Sequence, residues 1–296
     1  MEQVRRVTHA DEAHKLGYIG NGVTVAVMDT GIASHIDFGQ RTIGFVDAVY
    51  GRKKPYDDNG HGTHVSGIIA GSGFAGRGRY TGMAPGASIL SVKVLDRMGK
   101  GNTKQVVQAL RWLMEHKEEY RVRILNISVG MLATAREEEQ KLLLATMEEV
   151  WDAGIVVVAA AGNNGPRESS ITIPGLCKTI ITVGSSDDDA VNVRSLGLMK
   201  GYSGRGPTGS CVMKPEIVAP GTAIISCGRN ANSYEVKSGT SMATPVVAGA
   251  IAVLLEKRPR LKPAEVKLRL YETSVDIGKP RETQGWGRLD VMRLIS

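Results

Sequence analysis

Apolar runs alternate with stretches of helical periodicity along most of the chain. Residues 23–28 are almost wholly apolar and rich in β-branched side chains, as in a strand buried in a parallel sheet. The alternation predicts an α/β fold of three layers, a mostly parallel central sheet with helices on both faces. Similar runs predict strands at 41–46, 89–95, 124–128, 155–161 and 179–184, and periodicity predicts helices at 10–18, 61–70, 103–116, 137–153, 242–257 and 263–273.

The chain carries no repeat, low-complexity tract or linker, so residues 1–296 are predicted to form a single domain, with residues 1–21 as a short N-terminal extension and helix. No apolar run reaches transmembrane length, and the first residues lack the apolar segment of a signal peptide. Cys177, Cys211 and Cys227 lack C-x-x-C spacing, which predicts reduced thiols. We therefore expect a cytoplasmic protein without a membrane partner, and a Cys211–Cys227 pairing stays open.

The basic charge does not by itself indicate a nucleic-acid partner. The formal net charge is +7 and the isoelectric point is about 9.3. Lys and Arg are nevertheless spread along the chain, and no basic patch is interleaved with aromatic residues. A solvated surface accounts for the charge, so no nucleic-acid partner is expected. The sequence leaves the oligomeric state open.

One octapeptide, SGTSMATP at residues 238–245, stands between a tight turn and an apolar helix. Pro245 is expected in the first helical turn, where its missing N–H costs nothing. Ser241 then lies at a helix N-terminus, beside free backbone N–H groups and the positive end of the helix dipole. That environment suits a serine whose attack on a carbonyl generates an oxyanion. A helix-capping serine is the alternative that this stretch alone leaves open.

Three other positions carry chemistry that needs partners elsewhere in the chain. Asp29 directly follows the first predicted strand, at the edge where sites in open α/β sheets collect, and its alternative role is an Asx turn. His61 and His64 lie three residues apart on a predicted helix, as metal ligands can. No third ligand follows at regular spacing, although Asp57 and Asp58 are near. We favour one catalytic and one structural histidine.

Residues 71–76, GSGFAG, match the dinucleotide-binding pattern, and Asp96 follows about twenty residues later. That kind of site requires a strand before the glycines and a helix that opens at the third glycine, so that the helix dipole holds a pyrophosphate. The residues that follow are too rich in Gly and Pro for a helix. We therefore predict a loop, and an oxidoreductase function rests on this motif alone.

Four separated segments together resemble the signature segments of the subtilisin family of serine proteases. They are VAVMDTGI at 25–32, NGHGTHVSG at 59–67, AAGNNG at 160–165 and SGTSMATP at 238–245, and shorter agreements lie at 202–208, 214–221 and 285–290. The chain is identified as a member of this family, closest in character to its intracellular branch. The resemblance implies a subtilisin-like fold and a serine endopeptidase of broad specificity that hydrolyses peptide bonds through an acyl-enzyme.

The resemblance also implies the roles of the candidate catalytic residues. Ser241 is the nucleophile, His61 is the general base, and Asp29 is the carboxylate that orients the imidazole, in the order Asp, His, Ser that is known for subtilisin. Asn163 corresponds to the side-chain donor of the oxyanion hole. An adjacent base is required because a serine hydroxyl is a poor nucleophile at neutral pH.

The residues expected to bind a peptide substrate are also implied by the resemblance. Backbone pairing with an extended peptide gives affinity without sequence specificity. A small apolar pocket wall predicts a preference for a sizeable apolar side chain before the scissile bond, and Thr172 at the base of that pocket modifies it. The expected substrate-binding residues are Gly99, Lys100 and Gly101, then Ser128, Val129 and Gly130, and, for the pocket, Ala160, Ala161, Gly162 and Thr172.

Two departures from the family pattern concern metals and regulation. Residues 71–85 contain no Asp, Glu or Asn, whereas relatives with a tight calcium site in this loop use such oxygens, so that site is predicted to be absent. The catalytic chemistry is expected to require no cofactor. Whether a structural calcium ion binds at another place is left open, and no ligands are assigned to it. Relatives usually carry an N-terminal inhibitory domain, whereas only about twenty residues precede the first strand pattern here. A mature form or another restraint on activity is expected.

Three hypotheses from different classes follow from the sequence. The first is an active serine endopeptidase whose partners are polypeptide substrates. The second is a catalytically silent binding module on the same fold, and the third is the nicotinamide-dependent oxidoreductase. Competent residues occupy all four catalytic positions, Asp29, His61, Asn163 and Ser241, which favours the first.

Overall fold

The centre of the fold is a sheet of parallel strands. The computed structural model describes residues 1–128, 136–190, 199–209 and 212–296. Within them, a separate antiparallel hairpin joins β8 (Ile224–Cys227) to β9 (Tyr234–Lys237). The strands of the sheet are β1 (Thr24–Asp29), β2 (Thr42–Asp47), β3 (Ser88–Lys93), β4 (Val122–Ile127), β5 (Val156–Ala160), β6 (Ile181–Ser185) and β7 (Ile217–Ala219).

Helices surround this sheet and complete the three-layer α/β arrangement that the sequence predicts. The helices α3 and α6 pack against each other, and α6 also lies along β4, β5 and β6, while α4 and α5 form a second packed pair. The helices are α1 (Glu2–Val7), α2 (Ala10–Lys15), α3 (His61–Ala70), α4 (Thr103–His116), α5 (Glu137–Asp152), α6 (Thr240–Lys257), α7 (Pro263–Thr273), α8 (Arg281–Gln284) and α9 (Val291–Ile295).

The strand order creates a crevice beside β1. The order is β2-β3-β1-β4-β5-β6-β7, so the chain first builds one side of β1 and then returns past it to build the other. Such a reversal leaves an open crevice at the carboxyl ends of the two strands that flank it. Asp29 is the last residue of β1 and therefore lies at this crevice. The wholly apolar strand β5 is an interior strand, and β4 occupies the middle of the order.

The helix α6 is a core helix, with fifteen of its eighteen residues buried. It is long and apolar enough to cross a membrane, yet 83% of that stretch is buried inside the protein, as in a core helix.

Cys177 and Cys227 are buried free thiols, and Cys211 lies outside the described residues. The segment 71–76 follows α3 and enters a three-residue 3₁₀ turn, Phe74–Gly76, so the predicted loop is confirmed.

The predicted place of Pro245 is wrong. The helix α6 begins at Thr240, after Gly239, so Pro245 lies in its second turn and its missing N–H leaves the Ser241 carbonyl without a helical partner. The helix starts early because the Thr240 N–H bonds to the side chain of Asn163 and the Thr244 hydroxyl bonds to the Thr240 carbonyl. Ser241 is consequently inside the first turn, and the N-cap position belongs to Gly239.

Candidate active site

A carboxylate and an imidazole meet at the carboxyl edge of the sheet. The Asp29 side chain is fully buried, and the His61 side chain is 25% exposed. The His61 Nδ1 atom lies 2.8 Å from Asp29 Oδ1 and 2.9 Å from Oδ2. Because an ionised carboxylate only accepts hydrogen bonds, Nδ1 carries a proton and Nε2 of the neutral ring presents its lone pair.

The carboxylate of Asp57 connects the end of β1 to the start of α3. Its Oδ1 accepts from the Thr30 hydroxyl at 2.9 Å and from the Gly60 N–H at 2.7 Å. Its Oδ2 accepts from the N–H and the hydroxyl of Thr63. Burial opposes the charged form, but these hydrogen bonds outweigh it and hold the pKa of Asp57 below its ordinary value. The sequence indicated Asp57 only as a neighbour of the two histidines.

Two glycines allow α3 to approach the end of β1. A Cβ atom on Gly62 would lie 2.2 Å from the carbonyl oxygen of Gly31, so only glycine fits in this turn of α3. Gly31 itself has a φ of 113° and would bring a Cβ atom within 2.2 Å of the Tyr56 carbonyl. This close approach carries the His61 ring to Asp29.

The carboxylate also controls the charge of His61. Burial of the imidazole disfavours its charged form, but the negative charge of Asp29 and the hydrogen bond to it outweigh burial and raise the pKa of His61 above 6.5. The positive charge of Lys237 acts in the opposite direction. His61 is thus a stronger base than a free histidine while remaining partly accessible from the cleft.

Ser241 faces the same cavity as His61. The cavity has a volume of about 380 Å³, and its lining residues are His61, Asn163, Val236, Lys237, Ser238, Ser241 and Met242. Among the described residues no hydrogen bond joins Ser241 Oγ to His61 Nε2. Such bonds are often long without substrate and shorten when substrate binds. The hydroxyl and the base therefore share one cavity, and the base is oriented by Asp29.

The orientation of the Asn163 amide follows from its partners. Its Oδ1 atom accepts from the N–H of Thr240 at 2.9 Å and from the Thr240 hydroxyl at 3.1 Å. A backbone N–H only donates, so the oxygen faces Thr240 and the Nδ2 donors are turned away from it. Asn163 lines the cavity with Ser241. A donor group that Thr240 does not use is thereby available in the cavity that Ser241 lines.

Residues 20–287 match the family model described as Peptidase_S8, subtilase family. The chain belongs to the subtilase family. It is 40% identical to the serine protease AprX of Bacillus subtilis (strain 168), over 97% of this chain and 69% of that protein. It is 34% identical to subtilisin DY of Bacillus licheniformis, over 91% of this chain and 89% of that protein. A crystal structure of a cold adapted subtilisin-like serine proteinase matches with a TM-score of 0.75 and 30% identity, over 92% of this chain and 90% of that chain.

The pocket residues expected in this subtilase lie against one another. A Cβ atom on Gly162 would lie 2.4 Å from Thr172 Oγ1, so the glycine is in close contact with the Thr172 side chain. The Thr172 N–H donates to the Ala161 carbonyl at 3.0 Å, and the Ala160 and Ala161 side chains are buried. The structure thus brings Ala160, Ala161, Gly162 and Thr172 together after the end of β5.

The other two expected substrate segments lie after β3 and β4. In the turn after β3, the Lys100 N–H donates to Asp96 Oδ1, and the Lys100 carbonyl accepts from the Asp96 N–H. Both backbone groups of Lys100 are therefore hydrogen-bonded within the turn, and Gly99 and Gly101 flank this residue. Ser128 is buried directly after β4, where its hydroxyl accepts from the Asn126 amide. Val129 and Gly130 lie outside the described residues.

His64 has a different environment from His61. It is fully buried, and its Nε2 atom lies 3.1 Å from the carbonyl oxygens of both Ile224 and Glu235. Burial lowers the pKa of His64 to about 3, so the ring is neutral and connects α3 to the β8–β9 hairpin. Among the described residues, no cluster of three possible metal ligands includes His61 or His64. The contacts of His64 agree with the structural role that we favoured.

One cluster of three buried side chains next to the loop 71–85 contains atoms that can ligate a metal. His35, Asp37 and Cys227 bring a nitrogen, an oxygen and a sulfur atom within 4.8 Å of one another. The Asp37 carboxylate already accepts from the N–H groups of Gly73 and Ala75, and His35 Nδ1 accepts from the Asp37 N–H. Burial raises the pKa of the Cys227 thiol, which keeps the sulfur protonated. These atoms have partners within the chain and do not fit a calcium ion.

Proposed function

We propose that this subtilase is a serine endopeptidase in which Asp29, His61 and Ser241 act as the catalytic triad. Membership of the family and similarity to named serine proteases support the general activity, peptide-bond hydrolysis by a serine protease. The assignment of residues rests on one observation, the Asp29–His61 hydrogen bond beside the cavity that Ser241 lines. Polypeptides are the substrates, and the catalytically silent binding module is the competing interpretation.

The proposed reaction begins when a peptide carbonyl enters the cavity. Ser241 Oγ attacks the carbonyl carbon while His61 Nε2 takes the hydroxyl proton, and His61 then donates this proton to the leaving amine. Water repeats the sequence on the acyl-enzyme and releases the second product. Asp29 keeps the proton on Nδ1 and stabilises the imidazolium that forms during each transfer.

Two donors are proposed to stabilise the oxyanion. The first is Nδ2 of Asn163, which remains free because its oxygen partner is Thr240. The second is the N–H of Ser241, because the first N–H groups of a helix have no acceptor within that helix. Both lie next to the nucleophile, where negative charge develops on the substrate carbonyl oxygen.

Asn163→Ala is expected to lower kcat by about 10²- to 10³-fold with a small change in KM, as loss of the corresponding donor does in subtilisin. Asn163→Asp retains an oxygen for the Thr240 N–H but loses the donor, so it is expected to lower kcat similarly. Steady-state kinetics on one peptide measure both. Asn164→Ala is the matched control, because Asn164 is exposed and follows directly. Equal losses in the 163 and 164 variants would contradict the assignment.

The pH dependence of kcat/KM tests whether His61 is the general base. Protonated His61 cannot accept the Ser241 proton, so kcat/KM should fall as pH drops through the pKa of His61. Because that pKa is raised, the acid limb is expected above pH 6.5, the ordinary value for histidine. His64 titrates near pH 3 and adds no inflection in this range. An acid limb centred below 6.5 would show that Asp29 does not control the base.

The pocket formed after β5 is proposed to accept a sizeable apolar side chain before the scissile bond. The small side chains of Ala160 and Ala161 and the absence of one at Gly162 support this, while Thr172 limits the depth. Backbone pairing to Gly99, Gly101 and the segment at Ser128 is proposed to hold the peptide with little sequence preference. Profiling the products of a proteome digest tests both the activity and the pocket.

We propose further that the chemistry uses no metal. The partners of Asp37 within the chain support the absence of the loop calcium site, and a structural calcium elsewhere has no assigned ligands. Cytoplasmic location, a lack of nucleic-acid or membrane partners, and the one-domain organisation stay predictions. The oligomeric state is not assigned.

A further inference from the structure

The cavity at Ser241 has one side that no step of the proposed reaction uses. Three consecutive residues, Val236, Lys237 and Ser238, form this side at the end of β9. Val236 and Lys237 pair with Ile225 and Ile224 at the open end of the β8–β9 hairpin. His64 anchors this hairpin to α3 through the Ile224 and Glu235 carbonyls. The position of Lys237 is therefore supported by the same helix that carries His61.

This side of the cavity faces the leaving group. Among the described residues, neither the pocket after β5 nor the turn at 99–101, which the proposed function assigns to the acyl part of the substrate, lines this cavity. His61 lines it and must reach the leaving amine in order to protonate it. The substrate residue directly after the scissile bond, which carries that amine, therefore enters the space beside Lys237.

We infer that Lys237 makes this subtilase prefer substrates with an acidic residue directly after the scissile bond. Lys237 lines the space that this residue enters, and a substrate carboxylate there gains the charge of its ammonium group as a partner. A lysine or arginine in the substrate meets a like charge. The inference rests on the proposed function and adds a specificity that the apolar pocket does not supply.

Glu235 is the competing partner of Lys237. Successive side chains of a strand alternate between faces, so Glu235 and Lys237 lie on one face of β9. Their charged groups lie 2.9 Å apart, with 38% and 27% of the side chains exposed. A partly exposed ion pair of this kind contributes little free energy, so Lys237 can replace Glu235 with a substrate carboxylate as its partner. The ammonium charge also reaches the catalytic base, since it opposes the rise in the pKa of His61.

The test uses four peptides that share one apolar residue before the scissile bond and differ only after it, with Asp, Glu, Ala or Lys. The unmodified enzyme is expected to cleave the Asp and Glu peptides about 3- to 10-fold faster in kcat/KM than the Lys peptide. Lys237→Met should bring this ratio close to one, and Lys237→Glu should invert it. Glu235→Gln should increase it. Raising the salt concentration about tenfold should reduce the ratio, because salt screens charges that are exposed to solvent.

Arg260→Glu is the matched control for Lys237→Glu, because it makes the same change of charge. Arg260 is exposed and lies three residues beyond the end of α6, whose last residue, Lys257, is roughly 24 Å from Ser241 by the rise of the helix. That variant should keep the acidic preference of the unmodified enzyme. Equal rates on all four peptides, or an unchanged ratio in Lys237→Glu, would overturn the inference and leave the protease activity standing. Failure to cleave any peptide or to react with a fluorophosphonate would overturn the proposed function as well.

Discussion

Ser241→Ala is expected to lower kcat by about 10⁶-fold and to abolish covalent labelling by a fluorophosphonate. This size of effect is that of the corresponding change in subtilisin, where removing the serine disables the whole triad. The reagent reacts with a serine that an adjacent base activates, and Ser241 is the serine that shares the cavity with the oriented His61 ring. Peptide hydrolysis and labelling of the folded variant measure the two effects independently.

Ser238→Ala is the control for the labelling experiment, because Ser238 has a hydroxyl at the same cavity but accepts a hydrogen bond from the Ala223 N–H. This variant should still carry the label. A label that persists in Ser241→Ala would place the nucleophile elsewhere. A folded, unmodified chain that neither reacts with the reagent nor cleaves peptides would favour the silent binding module, and tight nicotinamide binding would favour the oxidoreductase.

Helices with local end signals are the part of the fold that the sequence predicts best. At α7, Pro263 occupies the first turn and Glu265 bonds back to the Lys262 N–H at 2.7 Å. At α4, the Asn102 side chain accepts from the Lys104 N–H. Both helices begin and end at the predicted residues. The start of α6 was misplaced because its first turn depends on Asn163, a partner 77 residues away along the chain.

The β8–β9 hairpin shows what local pattern does not reveal. β9 has only four residues, and its alternation of Tyr234 and Val236 with two charged residues is too short to distinguish a strand from a loop. Its place in the molecule depends on His64, whose partners Ile224 and Glu235 are 160 and 171 residues away. Because such contacts join distant segments, spacing in the sequence carries no information about them.

The candidate site also contains residues that the sequence predicts and residues that it does not. Asp29, His61 and Ser241 lie in motifs that together resemble one family, so their place in the candidate site was predictable from the resemblance. The residues that hold them were not. Asp57 joins β1 to α3 through five hydrogen bonds. Lys93 is fully buried and donates to the Thr30 and Leu95 carbonyls and to Asp58, each at 2.7 Å. A buried lysine inside a strand pattern was the available signal.

Asp29→Asn is expected to lower kcat by about 10⁴-fold while the protein remains folded. The Thr30 N–H donates to Asp29 Oδ1 at 2.7 Å, so an asparagine places its oxygen there and its NH₂ group at the position of Oδ2. That position is 2.9 Å from His61 Nδ1. A donor facing Nδ1 forces the ring into the tautomer with the proton on Nε2, and this ring cannot take the proton of Ser241.

The pH profile separates this tautomer effect from a general loss of structure. Removing the carboxylate also removes the charge that raises the pKa of His61, so the acid limb of kcat/KM in Asp29→Asn should move to lower pH. A misfolded variant would lose activity at every pH without that shift, and its melting temperature would fall with it. If kcat drops less than about tenfold and the acid limb stays in place, Asp29 does not orient the base. The pair at the edge of the sheet would then be only a structural hydrogen bond, and the base would need another partner.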